Sequence, residues 1–548
     1  MKILLYLNTL KFLKFEQFFF RFFNPIWRKV YLYKKKRSFQ IRINNSDNWI
    51  KSLIYSPKLD FKDGSISGDF LNHKTYLSFP DDWNSLNLSK LWLYNLHYFN
   101  DLVSLNVFSN EKSYLLLINR WIDENPIGHG NGWEPYTLSL RIVNIHKSWL
   151  NGLQIDKKIF FSLYQQTDFL RNNLERHLLG NHYFSNLKAL LFSGIILNNK
   201  SWLNFSEKGL IEQIPEQILP DGSSYELSPM YHNILLIDML DIYNLSLAYP
   251  SKISDELKSL LAKYLPLMIL FMKAMSHGDK GVSFFNDSVD GIAPDFNSII
   301  NYSKSLGLET PNILDHKKRL IDFSDSGYFV ANYEQIKIIF DTSEVGPSYI
   351  PGHAHADSLS FEMSIGAERV FVNKGISHYD QNEERLMQRK TISHNTVEID
   401  GKDSSQVWGS HRVAKRAEII ERDSYECTNY IKLKGTHNGY KNLFFSFNTS
   451  RTIKLNKDSI KIKEVIEGNF KTAIVRFYIH PNLKVTLSGN KIIIVGNKFK
   501  LCSGMISGKP ILLNSFWHPQ FGVSIPNKCL EIHFSEKELL TEFTWKLI

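Results

Sequence analysis

The hydrophobic positions divide the chain into two parts with different periodicity. Between about residues 90 and 275, apolar side chains recur every three or four positions, as at Leu187, Leu190, Leu191 and Ile195. This spacing predicts amphipathic helices that each bury one face. Short polar segments separate the helical stretches, so neighbouring helices are expected to form antiparallel hairpins.

After about residue 325 the apolar segments become short, β-branched or aromatic, and bounded by Gly, Asn, Pro or Asp. The clearest examples are Ile336–Asp341, Arg369–Asn373, Thr396–Asp400, Ala473–His480 and Lys491–Val495. Such segments are typical of strands. The only helical pattern in this half is a short run near Tyr379–Thr391. The second half is therefore predicted to be a large antiparallel β domain, with a sandwich as the favoured form.

The N-terminal segment is hydrophobic but charged. Met1–Phe23 carries four basic residues and Glu16, and its uninterrupted apolar run, Ile3–Leu10, is far shorter than a membrane span. It also has no small-residue cleavage site. We predict no transmembrane span and an amphipathic helix that packs on the body, with an atypical export signal as the alternative. The absence of a clear signal peptide favours a cytoplasmic location.

Composition adds little that is specific. The net charge of +10 suits a polyanionic partner such as nucleic acid, an acidic glycan or a membrane surface. The longest basic cluster, Lys34–Arg37, is interpreted as a solvated surface, and no nucleic-acid partner is predicted. The three cysteines lack the spacing of metal ligands and are predicted to be ordinary thiols in the core. The oligomeric state stays open.

The richest chemistry lies in Pro351–Ser364, where His353, His355 and Asp357 alternate with small residues ahead of an apolar run. At strand period the three polar side chains would face the same way. Two imidazoles and a carboxylate on one face indicate a chemical site or a metal site. A solvated His-rich loop is the competing interpretation.

Three other segments carry polar groups that can converge on these histidines. Gly180–Asn186 places Asn181 and His182 at the start of a predicted helix, where they are either site residues or simple caps. In Asp221–His232, Ser228 and Pro229 predict an N-cap and a first helical residue, so Tyr231 lies in the first turn. The positive end of that helix favours a phenolate, although a core aromatic is the alternative.

The third segment, Arg389–Val397, precedes a strand and contains His394, 39 positions after His355. Both histidines belong to the predicted β domain, so His394 can return to the same site. A surface histidine is the competing interpretation.

Together these segments resemble the heparinase II/III family of polysaccharide lyases, of the alginate-lyase-like kind. The resemblance runs in order from Trp92–Tyr98 through Gly132–Tyr136 and Arg141 to Val413. It implies an α+β multidomain fold, in which an N-terminal (α/α) toroid of helical hairpins is followed by a C-terminal antiparallel β-sandwich. The implied domains are an N-terminal helical and extended segment (1–80), the toroid (81–315) and the sandwich (316–548).

The resemblance also implies residue roles. Asn181 would neutralise a substrate carboxylate, His182 and Tyr231 would form the base and acid pair, and His353 would enter from the β domain. The expected base is neutral His182, or Tyr231 with its pKa lowered from about 10 by neighbouring positive charge. Further substrate contacts are assigned to a mixed set of residues: Glu226, His232, Trp133, Arg141 and Arg389.

No cofactor is required for this chemistry, but the resemblance implies one structural Zn²⁺. Its ligands would be His355, His394 and an aspartate, and Asn373 stands at the aspartate position next to Lys374. An amide oxygen is a poorer ligand than a carboxylate, so weak or absent metal is expected. Asp357 would substitute if the backbone brought it round.

The predicted function is β-elimination of a uronic-acid-containing polysaccharide or oligosaccharide, with a role in surface polysaccharide metabolism. The family also implies the cell envelope or periplasm as an alternative location. Three other functions compete. A metallohydrolase would use His353 and His355, but such pairs usually open a (β/α) barrel. A glycoside hydrolase would need two paired carboxylates. A catalytically weak glycan-binding protein of capsule or O-antigen assembly would keep the fold alone.

Overall fold

The computed structural model describes residues 2–33, 41–46, 48–62, 64–309, 319–441 and 447–548. The basic cluster Lys34–Arg37 and the predicted boundary between residues 315 and 316 lie outside these ranges. The helices of the described residues are α1 (Lys2–Leu10), α2 (Phe15–Tyr33), α3 (Lys90–Tyr98), α4 (Glu111–Glu124), α5 (Pro135–Leu150), α6 (Lys157–Arg171), α7 (Gly180–Ile196), α8 (Lys200–Gln217), α9 (Pro229–Ala248), α10 (Asp255–Met275), α11 (Phe296–Ser305) and α12 (Glu383–Arg389).

The helices from α3 to α11 form the (α/α) toroid that was predicted. The successive helices α7 and α8 pack against each other, as do α9 and α10, and α5 packs against α7 across the intervening α6. The toroid core is apolar and fully buried at Leu187, Leu190, Leu236 and Leu265. None of the helices in the described ranges is long and apolar enough to cross a membrane.

The strands fall mainly in the second half of the chain. They are β1 (Leu59–Lys62), β2 (Ser65–Phe70), β3 (His73–Leu77), β4 (Leu320–Phe323), β5 (Tyr328–Tyr333), β6 (Ile336–Asp341), β7 (Phe361–Ile365), β8 (Glu368–Phe371), β9 (Val397–Ile399), β10 (Val407–Trp408), β11 (Arg412–Val413), β12 (Ile419–Cys427), β13 (Tyr430–His437), β14 (Asn448–Asn456), β15 (Ser459–Glu467), β16 (Ala473–Ile479), β17 (Lys484–Ser488), β18 (Lys491–Val495), β19 (Phe499–Ile506), β20 (Lys509–Trp517), β21 (Ile525–Phe534) and β22 (Glu538–Leu547).

Two large antiparallel sheets form the predicted sandwich. One has the order β12-β13-β14-β15-β22-β19-β18-β17, and the other has β20-β21-β16-β8-β7-β6-β5-β4 with β9 paired to β16. Aromatic side chains from the two sheets meet between them: Phe543 lies 5.3 Å from Phe371 and 5.7 Å from Phe477, ring centroid to ring centroid. The alternation of buried and half-buried residues along β14 matches a strand with one face in this core.

The toroid and the sandwich share a small apolar core. Phe271 of α10 packs on Phe323 and Tyr328 of the sandwich, with ring centroids 4.9 and 6.2 Å away. Residues 278–295 form an irregular excursion beside this contact, and Asp287 N within it donates to His353 O at 3.0 Å. The junction therefore brings the toroid, the excursion and the His353 segment together.

Candidate active site at the junction of toroid and sandwich

His182 stands in the first turn of α7, which the chain enters through two residues in the left-handed region. Leu179 has φ 66° and Gly180 has φ 58°. A Cβ at Gly180 would lie 3.0 Å from Glu226 Oε1, so glycine lets this carboxylate approach the helix. Asn181 N then donates to Glu226 Oε1 at 3.4 Å.

A second carboxylate orients His182. Its Nδ1 lies 3.0 Å from Glu175 Oε1, and its ring contacts Tyr136 at 4.5 Å between centroids. Burial alone would lower the pKa of His182, but the negative charge and the hydrogen bond of Glu175 outweigh it, and the pKa is raised. With Nδ1 held by Glu175, Nε2 is the nitrogen left to accept a proton when the ring is neutral.

Tyr231 lies in the first turn of α9, as predicted. Ser228 Oγ caps this helix by accepting from Tyr231 N at 3.3 Å, and Pro229 is the first helical residue. The Tyr231 ring stacks on His353 with 3.8 Å between centroids, and its hydroxyl lies 3.0 Å from the Tyr379 hydroxyl.

The expected lowering of the Tyr231 pKa is wrong for this arrangement. Burial raises its pKa well above 10, and the neighbouring Tyr379, Asp287 and Glu226 raise it further. Three oxygen-bearing neighbours outweigh the helix dipole, whose effect is modest. Tyr231 is therefore a neutral phenol near pH 7, and it can give a proton more readily than take one.

His353 reaches the site from a turn and not from a strand. Pro351–His353 is a single 3-10 turn and the strand begins only at Phe361, so the predicted strand alternation of His353, His355 and Asp357 is wrong. The turn nevertheless points both histidines at one carboxylate. His353 Nδ1 lies 2.9 Å from Asp287 Oδ2, and His355 Nε2 lies 2.8 Å from Asp287 Oδ1.

Arg385 completes this buried network. Its two terminal nitrogens donate to Asp287 Oδ1 at 2.6 Å and Oδ2 at 2.7 Å, a bidentate pair with both side chains fully buried. Burial would raise the pKa of Asp287, but Arg385 and the hydrogen bonds from His353 and His355 hold it well below its ordinary value. Asp287 is therefore an anion that fixes the orientation of both imidazoles.

Glu226 joins the toroid residues to the sandwich residue. Its Oε1 accepts from Asn181 N, and its Oε2 lies 3.7 Å from His353 Nε2. Oε2 is buried and has no hydrogen-bond partner among the described residues. Asn181, Glu226, His353 and Tyr231 thus form a continuous chain of contacts with His182 beside it.

The predicted metal ligands converge, with one change. His355 Nδ1 lies 3.3 Å from His394 Nε2, and the Asp357 carboxylate joins them, with all three donor atoms within 4.8 Å of one another. Burial lowers the pKa of His355 to about 4 and that of His394 well below its ordinary value, so both rings are neutral. Two neutral imidazoles and a carboxylate are a donor set that fits Zn²⁺.

Asn373 is buried in the same region but is engaged elsewhere. Its Oδ1 accepts from Asn395 N at 3.1 Å, while its Nδ2 has no partner among the described residues. The expectation of weak metal binding rested on Asn373 as the third ligand. The position of Asp357 removes that reason, because it offers the carboxylate that Asn373 lacks.

All five predicted substrate contacts are buried, and Glu226 is itself only 3% exposed. His232, Trp133, Arg141 and Arg389 are each no more than 2% exposed, so a glycan cannot reach them. Arg141 donates to His97 O, Gly132 O and Gln166, and Arg389 donates to the backbone oxygens of Ala354, Gly409 and Arg412. Trp133 Nε1 donates to Asn125 O at 3.2 Å, and both ring nitrogens of His232 are hydrogen-bonded to backbone. These side chains stabilise the structure around them and do not contact a substrate.

Sequence reasoning missed four residues that the site uses: Glu175, Asp287, Tyr379 and Arg385. Glu175 left only a weak signal: it precedes His182 by seven positions, but it lies before the start of α7, where helical spacing does not apply. Asp287 left none, because it is 66 positions before His353 and lies in a segment without periodicity.

The chain combines an (α/α) toroid with an antiparallel β-sandwich and carries a histidine–tyrosine cluster where the two meet. This architecture places it among the two-part toroid–sandwich proteins. The chain belongs to the heparinase II/III family. The family model for the heparinase II/III N-terminus matches residues 33–306, and the model for the heparinase II/III-like C-terminal domain matches residues 315–546. The predicted family resemblance is confirmed.

Individual relatives are distant. A heparin-sulfate lyase of Pedobacter heparinus is 21% identical over 320 residues, which are 52% of this chain and 47% of that protein. The alignment thus spans about half the length of this curated relative. Among solved structures, a heparinase III is 16% identical and covers 96% of this chain and 89% of its own, with a TM-score of 0.70. A mutant heparan sulfate lyase of Pedobacter heparinus is 16% identical, with 96% and 88% covered and a TM-score of 0.60. These similarities establish the fold.

Proposed function

We propose that this protein is a carbon–oxygen lyase that cleaves a uronic-acid-containing polysaccharide by β-elimination. The observation that carries the proposal is the contact chain of Asn181, Glu226, His353 and Tyr231, beside a histidine that Glu175 orients. A site that only bound glycan would have no use for a carboxylate-oriented imidazole next to a buried phenol. A purely glycan-binding role is therefore not favoured.

The residues divide the elimination into three tasks. The half-buried Asn181 amide, which makes no side-chain hydrogen bond to the described residues, donates to the C6 carboxylate, so that charge developing at C5 can spread onto it. His182 Nε2 removes the C5 proton. As the C4–C5 double bond forms, the C4–O4 bond breaks, and the Tyr231 hydroxyl gives its proton to the leaving O4.

His353 acts from the sandwich side of the site. The Asp287 carboxylate accepts from His353 Nδ1, so the face of the ring stays against Tyr231 and Nε2 points toward Glu226. This arrangement places a polar nitrogen beside the carboxylate-binding amide of Asn181. Glu226 is buried, so it acts on the site through Asn181 N and His353 Nε2 and does not itself contact the sugar.

His355, Asp357 and His394 would hold a divalent cation such as Zn²⁺ behind the catalytic residues. The ion would supply structural stability through the Asp287 network, because His355 contacts both Asp287 and His394. No proton transfer in the proposed elimination passes through it.

The test is product analysis with a panel of acidic glycans. Heparin and heparan sulfate come first because similar proteins carry those names, followed by chondroitin sulfate, alginate and bacterial capsule polymers. Lyase action produces unsaturated uronate ends that absorb ultraviolet light. New reducing ends without that absorbance would indicate hydrolysis and refute the proposal.

A further inference from the structure

The second helix lies on the toroid with its polar face inward. Gln17, Asn24 and Tyr31 are spaced by seven and share one face of α2. Asn24 Nδ2 donates to Leu174 O at 3.0 Å, and the Tyr31 hydroxyl donates to Asp168 Oδ2 at 2.8 Å. Gln17 Nε2 donates to two backbone oxygens of the body. These polar contacts, which extend over more than three turns of α2, attach the helix to the rest of the protein.

The opposite side of the helix pair is apolar and exposed. We call it the N-terminal apolar face and define it by six side chains that are 44–83% exposed: Leu4, Leu7, Phe15, Phe18, Phe22 and Ile26. On α2 these residues lie about half a turn from the polar stripe at the helical angle of 100° per residue. A surface helix normally buries its apolar stripe and exposes its polar one. Here α2 turns its polar stripe and the half-buried Phe20 toward the body and leaves Phe15, Phe22 and Ile26 uncovered, so its outer face suits an apolar environment.

Most of the net charge of the chain comes from the N-terminal sequence that carries this face. Residues 1–40 contain ten Lys and Arg against the single acidic residue Glu16, which gives +9 of the total +10. Arg21 and Lys29 are exposed on α2, and neither makes an ion pair with a described carboxylate. The net charge that the whole-chain composition suggests is thus a property of this one segment, while the remaining residues are almost neutral.

An amphipathic helix with an apolar face and clustered basic residues is the form that lies in a membrane interface. We propose that the N-terminal apolar face docks on the surface of an anionic phospholipid bilayer. The six apolar side chains enter the boundary between headgroups and acyl chains, and the exposed Arg21 and Lys29 meet the anionic headgroups. The helices lie along the surface without crossing it. Asn24 binds the backbone of Leu174, next to Glu175, so the bilayer and the catalytic cleft would be held in a fixed relation.

The experiment is flotation of the full chain with lipid vesicles. Phosphatidylcholine vesicles are compared with an equal mixture of phosphatidylcholine and phosphatidylglycerol, at low and high salt. The test variant is Phe15→Gln/Phe22→Gln/Ile26→Gln. Its matched control replaces three exposed leucines elsewhere, Leu86→Gln/Leu105→Gln/Leu116→Gln, which are 100%, 73% and 63% exposed. Both variants remove only exposed apolar groups, and equal thermal unfolding midpoints check that both fold.

Wild type and the leucine control are expected to float with the anionic vesicles, less so at high salt. The triple variant is expected to bind roughly 100- to 1,000-fold more weakly, since each apolar side chain entering the interface contributes about five- to tenfold. Arg21→Gln/Lys29→Gln is expected to weaken binding by about 30-fold at low salt.

Three results would overturn the proposal. The first is no flotation of wild type with anionic vesicles, and the second is equal flotation of wild type and the triple variant. The third is a triple variant that changes from a dimer to a monomer by light scattering without losing vesicle binding, because the face would then be covered by a second copy of the chain.

Discussion

Tyr231→Phe removes one hydroxyl from the proposed acid and leaves the rest of the side chain in place. The Phe ring can keep the stacking on His353, at 3.8 Å between centroids. The hydrogen bond lost is the one to the Tyr379 hydroxyl at 3.0 Å. A neutral hydrogen bond of this kind contributes about 1 kcal/mol to stability. Loss of an acid–base group costs roughly 10²–10⁴-fold in turnover, or about 3–5 kcal/mol of barrier.

Tyr379→Phe is the matched control, because it removes the other hydroxyl of the same hydrogen bond. Both variants should lose similar stability in chemical unfolding, while only Tyr231→Phe should lose most of the turnover measured by ultraviolet absorbance. Substrate binding should change little in either. Turnover of Tyr231→Phe within tenfold of wild type would refute its role as the acid. An equal loss in Tyr379→Phe would show that the hydroxyl pair acts as a unit.

Three further predictions concern the groups behind the cleft. Glu175→Gln removes the charge that raises the pKa of His182. The neutral base should then persist to lower pH, and the acidic limb of the kcat/KM profile should move to lower pH. An unmoved limb would exclude His182 as the titrating base. Arg385→Met leaves Asp287 as a buried anion without its guanidinium partner and should lower the free energy of unfolding by about 3–5 kcal/mol. The control Arg422→Met breaks a partly exposed pair with Asp322 and should lower it by at most about 1 kcal/mol. Zinc added to metal-stripped protein should raise the Tm of wild type but not that of Asp357→Asn; equal shifts would remove Asp357 from the donor set.

Local sequence determined much of this protein, because its signals act over a few residues. Ser228 and Pro229 placed Tyr231 in the first turn of α9, since capping depends on the two or three residues around the helix start. The β-branched segments Ile336–Asp341 and Lys491–Val495 became strands with the predicted bounds. The ordered motifs around Asn181, Tyr231 and His353 indicated the family and the two-part fold.

The roles of these groups depend on contacts that form only when the chain folds. Asp287 orients His353 from 66 positions away and pairs with Arg385, 98 positions further on, and no local pattern reports such distances. The pKa of Tyr231 depends on burial and on Tyr379, which only folding brings to it. The apolar positions of α2 were evident in the sequence, but which of its faces meets the body depended on partners for Gln17, Asn24 and Tyr31 that lie more than 100 positions away. Periodicity shows that a helix has two unlike faces, and the contacts of the folded chain decide which face turns outward.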